Sequence, residues 1–144
     1  MSLRIIQDTL SPGLRRKAKA IEDPTPILRV MGVTLQSYTV QTFSELVPRA
    51  RRWPNKKDGT PSNLQRTTAL RQSIRLVSVD RRKAVVGTDR LYAAVHQFGS
   101  QKQSGYGSGI PARPYFPFRG ERMIPEAHRR VKAAAQAQLA VLLR

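Results

Sequence analysis

Residues 73–88 read SIRLVSVDRRKAVVGT, and this stretch decides the fold class. Apolar and polar residues alternate over 73–79, residues 80–83 are all charged, and residues 84–88 are small or β-branched. Alternation with a period of two is typical of a strand with one buried face, because successive side chains point to opposite faces. The stretch therefore predicts a β-hairpin with a four-residue loop.

A long helix is predicted upstream of the hairpin. Pro24 and Pro26 favour a helix start, and a helix of about 20 residues is expected from Ile27 onward. The β-branched content of residues 33–40, VTLQSYTV, also suits a strand. The apolar residues near one face of this helix are Ile27, Met31, Leu35, Tyr38 and Leu46, with Phe43 at the edge.

Two further helices are predicted. Ser62 and Gln65 have the spacing of a capping box, which indicates a short helix running toward Leu70. At the C-terminus, Pro125 and Glu126 suit the first turn of a longer helix. Its apolar face comprises Ile124, Ala127, Val131, Ala134, Ala135, Leu139 and Leu142.

The pattern as a whole predicts an α+β fold. A long N-terminal helix and a C-terminal helix pack on a β-hairpin or small antiparallel sheet, with extended loops or arms. A chain of 144 residues suits one domain. We expect residues 1–23 to form an N-terminal arm and residues 24–144 to form a single α+β domain. Within it, the Gly- and Ser-rich residues 99–109 are expected to be a flexible loop.

Composition excludes several kinds of chemistry. The chain has no cysteine, which rules out disulfides, thiolate metal sites and cysteine nucleophiles. Its two histidines, His96 and His128, have neither a metal-binding motif nor an evident catalytic partner nearby in sequence. We therefore expect no catalytic site, no metal, no cofactor and no enzymatic activity. No apolar run approaches the roughly 18 residues of a membrane span, so no membrane partner is expected.

The charge balance favours acidic partners. Twenty-six Lys and Arg residues stand against nine Asp and Glu residues, for a formal net charge of +17. Such a field attracts polyanions and acidic protein surfaces. Within the loop-like stretch 48–63, the candidates for polyanion contact are Arg49, Arg51, Arg52, Trp53, Lys56 and Lys57. No helix-turn-helix, zinc-module or RNA-recognition pattern accompanies them, so the hypothesis is nonspecific nucleic-acid binding, with a solvated loop as the alternative.

Three motifs in fixed order carry a family resemblance. They are VGT at 86–88, YAAVHQFG at 92–99 and IPARPYF at 110–116, followed by the C-terminal helix. With these motifs the chain resembles the bacteriophage virion morphogenesis family, the tail-completion or head-tail joining proteins of Mu-like and P2-like tailed phages. The resemblance covers residues 66–144 well and residues 1–60 only in outline.

The resemblance implies a structural protein of the virion. It would form a ring at the head-tail junction or tail end, as a tail-completion protein, tail terminator or neck connector needed for head-tail joining. A hexamer is expected first, with a dodecamer matched to the portal as the alternative. Neighbouring neck, portal or tail-tube proteins would be its partners, with nonspecific contact to DNA in the lumen. The protein would reside in the virion, and in the host cytoplasm during assembly.

Residues 110–118, IPARPYFPF, are called the ribbon below. Three prolines favour an extended backbone, and its aromatic residues offer large apolar area, which suggests a preformed contact surface. Large aromatics are usually buried, so Tyr92 and Phe98 also suit the core, and Arg113 also suits an internal pair. The candidates for a subunit interface are Tyr92, His96, Phe98, Pro111, Arg113, Pro114, Tyr115, Phe116 and Phe118.

Overall fold

The computed structural model describes residues 11–64, 68–100 and 109–144. In these ranges helices and short antiparallel strands combine, which confirms the predicted α+β class. The helices are α1 (Ser11–Glu22), α2 (Thr25–Thr42), α3 (Ala69–Ser73), α4 (Ala93–Phe98) and α5 (Pro125–Leu142), and the strands are β1 (Arg75–Val79), β2 (Ala84–Gly87), β3 (Phe118–Arg119) and β4 (Arg122–Met123).

Helices α2 and α5 pack against each other and form the body of the subunit. Each has a proline in its first turn, where the missing amide costs no hydrogen bond. The strand alternative for residues 33–40 is wrong, because all of them lie in α2. Thr39 accommodates the helix by donating its hydroxyl to the carbonyl oxygen of Leu35 at 2.8 Å. Leu46, predicted on the buried face, lies beyond the helix and is 72 % exposed.

The predicted hairpin is present, with a four-residue loop between β1 and β2. The Asp80 carboxylate accepts hydrogen bonds from the amides of Arg82 and Lys83, which lowers the pKa of Asp80. The hairpin lies on α2, where Gln36 donates to the carbonyl of Ile74 and accepts from the amide of Leu76. The Gln36 side chain thus forms hydrogen bonds with one carbonyl and one amide of the backbone at the start of the hairpin.

The short helix predicted from the capping box is wrong in position. Residues 62–64 are not helical, residues 65–67 lie outside the described part, and the helix observed is α3, Ala69–Ser73. Leu64 and Thr68 have positive φ angles of 54° and 55°. A right-handed helix does not pass through residues in that conformation, so α3 begins only after Thr68.

The two segments expected to be extensions are only partly described. Residues 1–10 lie outside the described residues, whereas α1 lies beside α5 and Arg16 donates to the carbonyl oxygen of Arg144 at 3.3 Å. Residues 101–108 also lie outside, but the ends of that loop meet, since the Ser100 amide donates to Ile110 at 2.9 Å. The assignment of an arm and a single domain stays a prediction. No helix of the described residues is long and apolar enough to cross a membrane.

The core consists of two clusters. One, near the α2–α5 contact, contains Tyr38, Val47, Ala50, Ile124 and Ala127. The other contains Phe43, Trp53, Leu70, Ile74, Ala93 and Tyr115. Phe43 is its centre, with its ring 5.9 Å from that of Trp53 and 5.4 Å from that of Tyr115. The aromatic cluster thereby joins the end of α2 to residues 48–63, the ribbon and α4.

Candidate functional site

The ribbon and residues 48–63, called the basic loop below, hold each other in place. Arg113 is 8 % exposed and donates from Nε to Pro54 and from Nη2 to Asn55, each at 3.0 Å. In return, the Trp53 indole donates to the carbonyl oxygen of Pro114 at 2.9 Å. Each segment thus satisfies buried polar groups of the other, which fixes both of them.

Tyr115 attaches the ribbon to α4. Its ring is 2 % exposed and its hydroxyl donates to the carbonyl oxygen of Ala93 at 3.1 Å. The amides of Tyr115 and Phe116 both donate to Gln97 Oε1 at 3.0 Å. This side chain thus supplies the acceptor that a neighbouring strand would supply in a sheet. Burial raises the pKa of Tyr115 to about 12. The prolines of the ribbon have no amide, and Gln97 satisfies the two amides that follow Pro114.

The structure corrects the interface assignment for two ribbon residues. Arg113 and Tyr115 point into their own subunit, where the guanidinium and the phenol already have partners. Arg113 therefore makes internal contacts, as the sequence also allowed, although with backbone carbonyls. Among the other ribbon candidates, Pro114, Phe116 and Phe118 are half-buried and Pro111 is exposed. The ribbon is a structural brace with one partly accessible side.

Large apolar side chains are exposed on and just before helix α4, in contrast to the largely buried ribbon. Leu91, just before it, is 98 % exposed, Phe98 is 78 % exposed and Tyr92 is 42 % exposed. The alternative that Tyr92 and Phe98 belong to the core is wrong. Ala93 is buried in the core, whereas Ala94 and Phe98, four residues apart on α4, are exposed, and so is Leu91 in the turn before the helix. Leu91, Ala94 and Phe98 are called the α4 surface. Leu91 was missed from the sequence, although its spacing to Ala94 and Phe98 is helical.

His96 is half-buried beside this surface. Its ring lies edge-on to Tyr92, with centroids 5.8 Å apart, and its carbonyl oxygen accepts from the Arg113 amide at 2.7 Å. Among the described residues, none forms a hydrogen bond with its buried Nδ1 atom. Burial, and then the positive charge of Arg113, lower the pKa of His96.

The basic loop offers fewer cationic contacts than predicted. Trp53 is 4 % exposed, so its ring is not available to stack on a base. The Arg49 guanidinium lies 3.6 Å from the centre of that ring and pairs with Glu45 at 2.6 Å. Trp53 and Arg49 are therefore internal, which corrects both assignments. The exposed candidates that remain are Arg51, Arg52, Lys56 and Lys57.

The tip of the basic loop is ordered by its own turn. The Lys56 amide donates to the carbonyl oxygen of Thr60 at 2.8 Å, and Asp58 accepts from the hydroxyl and the amide of Thr60. These bonds lower the pKa of Asp58. Across the described residues, no group of three or more His, Cys, Asp or Glu side chains is arranged to hold a metal ion.

Comparison with known proteins agrees with the resemblance seen in the motifs. The model of the phage virion morphogenesis family matches residues 2–131, so the match includes the N-terminal half as well. The chain belongs to this family, whose role is in building the phage virion.

A more specific likeness is to the Mu-like prophage FluMu G protein 2 of Haemophilus influenzae. The two are 35 % identical over 108 residues, which is 74 % of this chain and 75 % of that protein. No solved structure matches the chain.

Proposed function

We propose that this virion morphogenesis protein forms a closed ring at the tail end or head-tail junction and completes the tail so that a filled head joins it. The observation that carries the proposal is the α4 surface, where Leu91 is 98 % exposed and Phe98 is 78 % exposed. Large apolar side chains exposed together are typical of a contact surface for another protein. Membership of a virion morphogenesis family supports assembly as the setting.

The α4 surface is prepared for such a contact. Helix α4 is fixed in position because Ala93 is buried in the core and Gln97 accepts two hydrogen bonds from the ribbon. A surface that is already ordered loses little conformational freedom on binding, so more of the contact energy becomes affinity. In a ring, this surface would contact a different surface of the next copy, since ring contacts are heterologous.

Six copies are the stoichiometry we propose, with twelve as the alternative for a ring matched to a portal. The neighbours would be neck, portal or tail-tube proteins, and the site of action would be the end of the tail or the head-tail junction. The proposed role uses contact surfaces alone and requires neither catalysis nor a cofactor.

A matched pair of variants tests this function in the phage or prophage that carries the gene. Leu91→Ser removes an apolar side chain that is 98 % exposed, and Leu46→Ser removes one that is 72 % exposed but far from α4 in sequence. We expect Leu91→Ser lysates to contain filled heads and tails that remain separate in electron micrographs. Leu46→Ser lysates should contain joined virions. Joined virions with Leu91→Ser, or with the gene deleted, would contradict the proposal.

Nonspecific nucleic-acid binding is a second candidate, favoured by the net charge of +17 and by the exposed side chains of the basic loop. Its test is the salt dependence of binding to a duplex oligonucleotide. The slope of log affinity against log salt should fall by about one for each phosphate contact removed, so Arg51→Ala combined with Arg52→Ala should flatten it by about two. An unchanged slope would exclude Arg51 and Arg52 as the contacts.

A further inference from the structure

An open groove of about 380 Å³ lies where the basic loop, the ribbon and the turn after β3 meet. Its apolar lining comes from Phe98, Ala112, Pro114 and Phe118. Phe98 belongs to the α4 surface and is 78 % exposed, so its ring borders the groove without being covered. The groove is large enough for one bulky side chain with adjoining backbone.

Two arginines line the same groove and are fixed in place by the backbone. Arg51 donates from Nη2 to the carbonyl oxygen of Ala112 at 3.2 Å, and Arg119 donates from Nε to that of Ala50 at 2.7 Å. A guanidinium has five N–H donors, so each retains further donors after this bond. Neither arginine forms a salt bridge with a described carboxylate, and no carboxylate is among the described residues of the lining.

We propose that this groove binds an acidic peptide segment with one large apolar anchor, presented by another protein of the virion. The apolar lining would receive the anchor side chain, while Arg51 and Arg119 would bind carboxylates beside it in the bidentate geometry that guanidinium favours. The proposal rests on the proposed function in one respect, which is that the partner is a neighbouring component of the virion.

A second copy of this chain does not offer such a segment. Only nine Asp and Glu residues are present in 144. Most of them already bind groups of their own subunit; these are Asp23, Glu45, Asp58, Asp80, Asp89 and Glu126. Residues 101–108, QKQSGYGS, contain no carboxylate either. The three other carboxylates, Asp8, Glu22 and Glu121, are far apart in sequence, so a different protein is the better source of a segment with several acidic groups.

DNA is the less favoured occupant of the groove. Phosphates would satisfy the two arginines, but a nucleic-acid backbone leaves the apolar lining formed by Phe98, Pro114 and Phe118 without a partner. An acidic peptide with an apolar anchor uses both halves of the site. Charge complementarity and apolar lining thus favour the peptide together.

The test uses the full chain and fluorescently labelled peptides. The probe is Asp-Glu-Leu-Phe-Asp-Glu, compared with a version in which serines replace Leu and Phe and with a duplex oligonucleotide. We expect the probe to bind, and the serine version to bind about tenfold more weakly. Arg51→Ala combined with Arg119→Ala should weaken probe binding by about tenfold or more. Arg81→Ala combined with Arg82→Ala removes the same charge from the hairpin loop and should leave binding unchanged.

Phe98→Ala is the second variant, because an exposed side chain can be removed without loss of folding. It should weaken binding of the apolar probe and not that of the serine version. Absence of probe binding, or equal weakening by the two double-arginine variants, would overturn the proposal. So would DNA binding that depends on Arg51 and Arg119 while peptide binding does not. A subunit that binds the probe but forms no ring would contradict the proposed function and not the groove. A ring that does not bind the probe would contradict the groove proposal and not the proposed function.

Discussion

Gly99 ends α4 and allows the ribbon to return beside it. Its φ and ψ angles are 78° and 175°, a region open almost only to glycine. A Cβ atom here would lie 2.9 Å from both the Ala112 nitrogen and the Ile110 oxygen, which are backbone atoms. The position therefore requires glycine for conformation and for space.

Gly99→Ala should lower the free energy of unfolding by about 3 kcal/mol or more, because backbone strain and overpacking add. Gly59→Ala is the matched control, since Gly59 has a φ of 81° but nothing within 4 Å of a built Cβ. It should cost about 1–2 kcal/mol. Urea unfolding of the two variants measures the difference. Equal losses would show that the ribbon backbone shifts away from a Cβ atom at residue 99 at little cost in free energy.

Arg113 braces the basic loop through two carbonyl oxygens, those of Pro54 and Asn55. Arg113→Lys keeps the charge but has no planar fork, so one carbonyl loses its donor and stability should fall by about 1–3 kcal/mol. The exposed Arg52→Lys is the control and should change little. Trp53 is the sole tryptophan, so its fluorescence reports unfolding directly. Equal stability of the two variants would contradict the brace.

His96 makes stability depend on pH. Burial and Arg113 lower its pKa in the folded state from the ordinary value of 6.5, so the unfolded chain takes up the proton first. The stability contribution is complete above pH 6.5 and declines as the pH falls from 6.5 toward the folded pKa. Chemical denaturation between pH 7 and pH 5 should show this decline in the natural protein and a smaller one in His96→Gln. Parallel pH profiles would exclude His96 as the cause.

The internal role of the ribbon was not predictable from its residues. Prolines and aromatics in series are equally suited to an interface and to a buried brace, because both bury apolar area against an ordered backbone. What decides is the position of Gln97 and Pro54, which are distant in sequence. The prediction of an interface therefore does not hold for Arg113 and Tyr115, whose side chains bind groups of their own subunit. The exposure of Phe98 follows from the orientation of α4.

At the scale of elements, Gly32 determines how closely the hairpin approaches α2. A Cβ built there would lie 2.6 Å from Leu76 Cδ1 and 3.1 Å from Ala84 Cβ. Gly32→Leu should therefore destabilise by about 1–3 kcal/mol despite its better helix propensity. A Cβ atom built at Gly13 in α1 has nothing within 4 Å, so Gly13→Leu should show no loss. Thermal or urea unfolding checks the pair, and a neutral Gly32→Leu would place the hairpin farther from α2.

Elements with a strong local signal were predicted well. The hairpin and α5 follow from period-two alternation and from a proline start with a long apolar face. The signal failed for α3 and was missing for α4, which have five and six residues. Such short helices depend on tertiary contacts, and α3 in addition starts only after the left-handed Thr68.

At the scale of the molecule, the net charge of +17 opposes self-association, while the exposed apolar side chains favour it. Ring formation should therefore be stronger at moderate salt, where repulsion between subunits is screened. An acidic neighbour in the groove would act in the same direction by neutralising Arg51 and Arg119.

Native mass spectrometry of the full chain tests the ring most directly. The account predicts a discrete species containing six copies, or twelve, of the 16.2-kDa chain, which Leu91→Ser converts to single subunits. A natural protein that remains a folded single subunit at every concentration and salt, without intermediate or ring species, would contradict the claim that this protein acts by forming a ring.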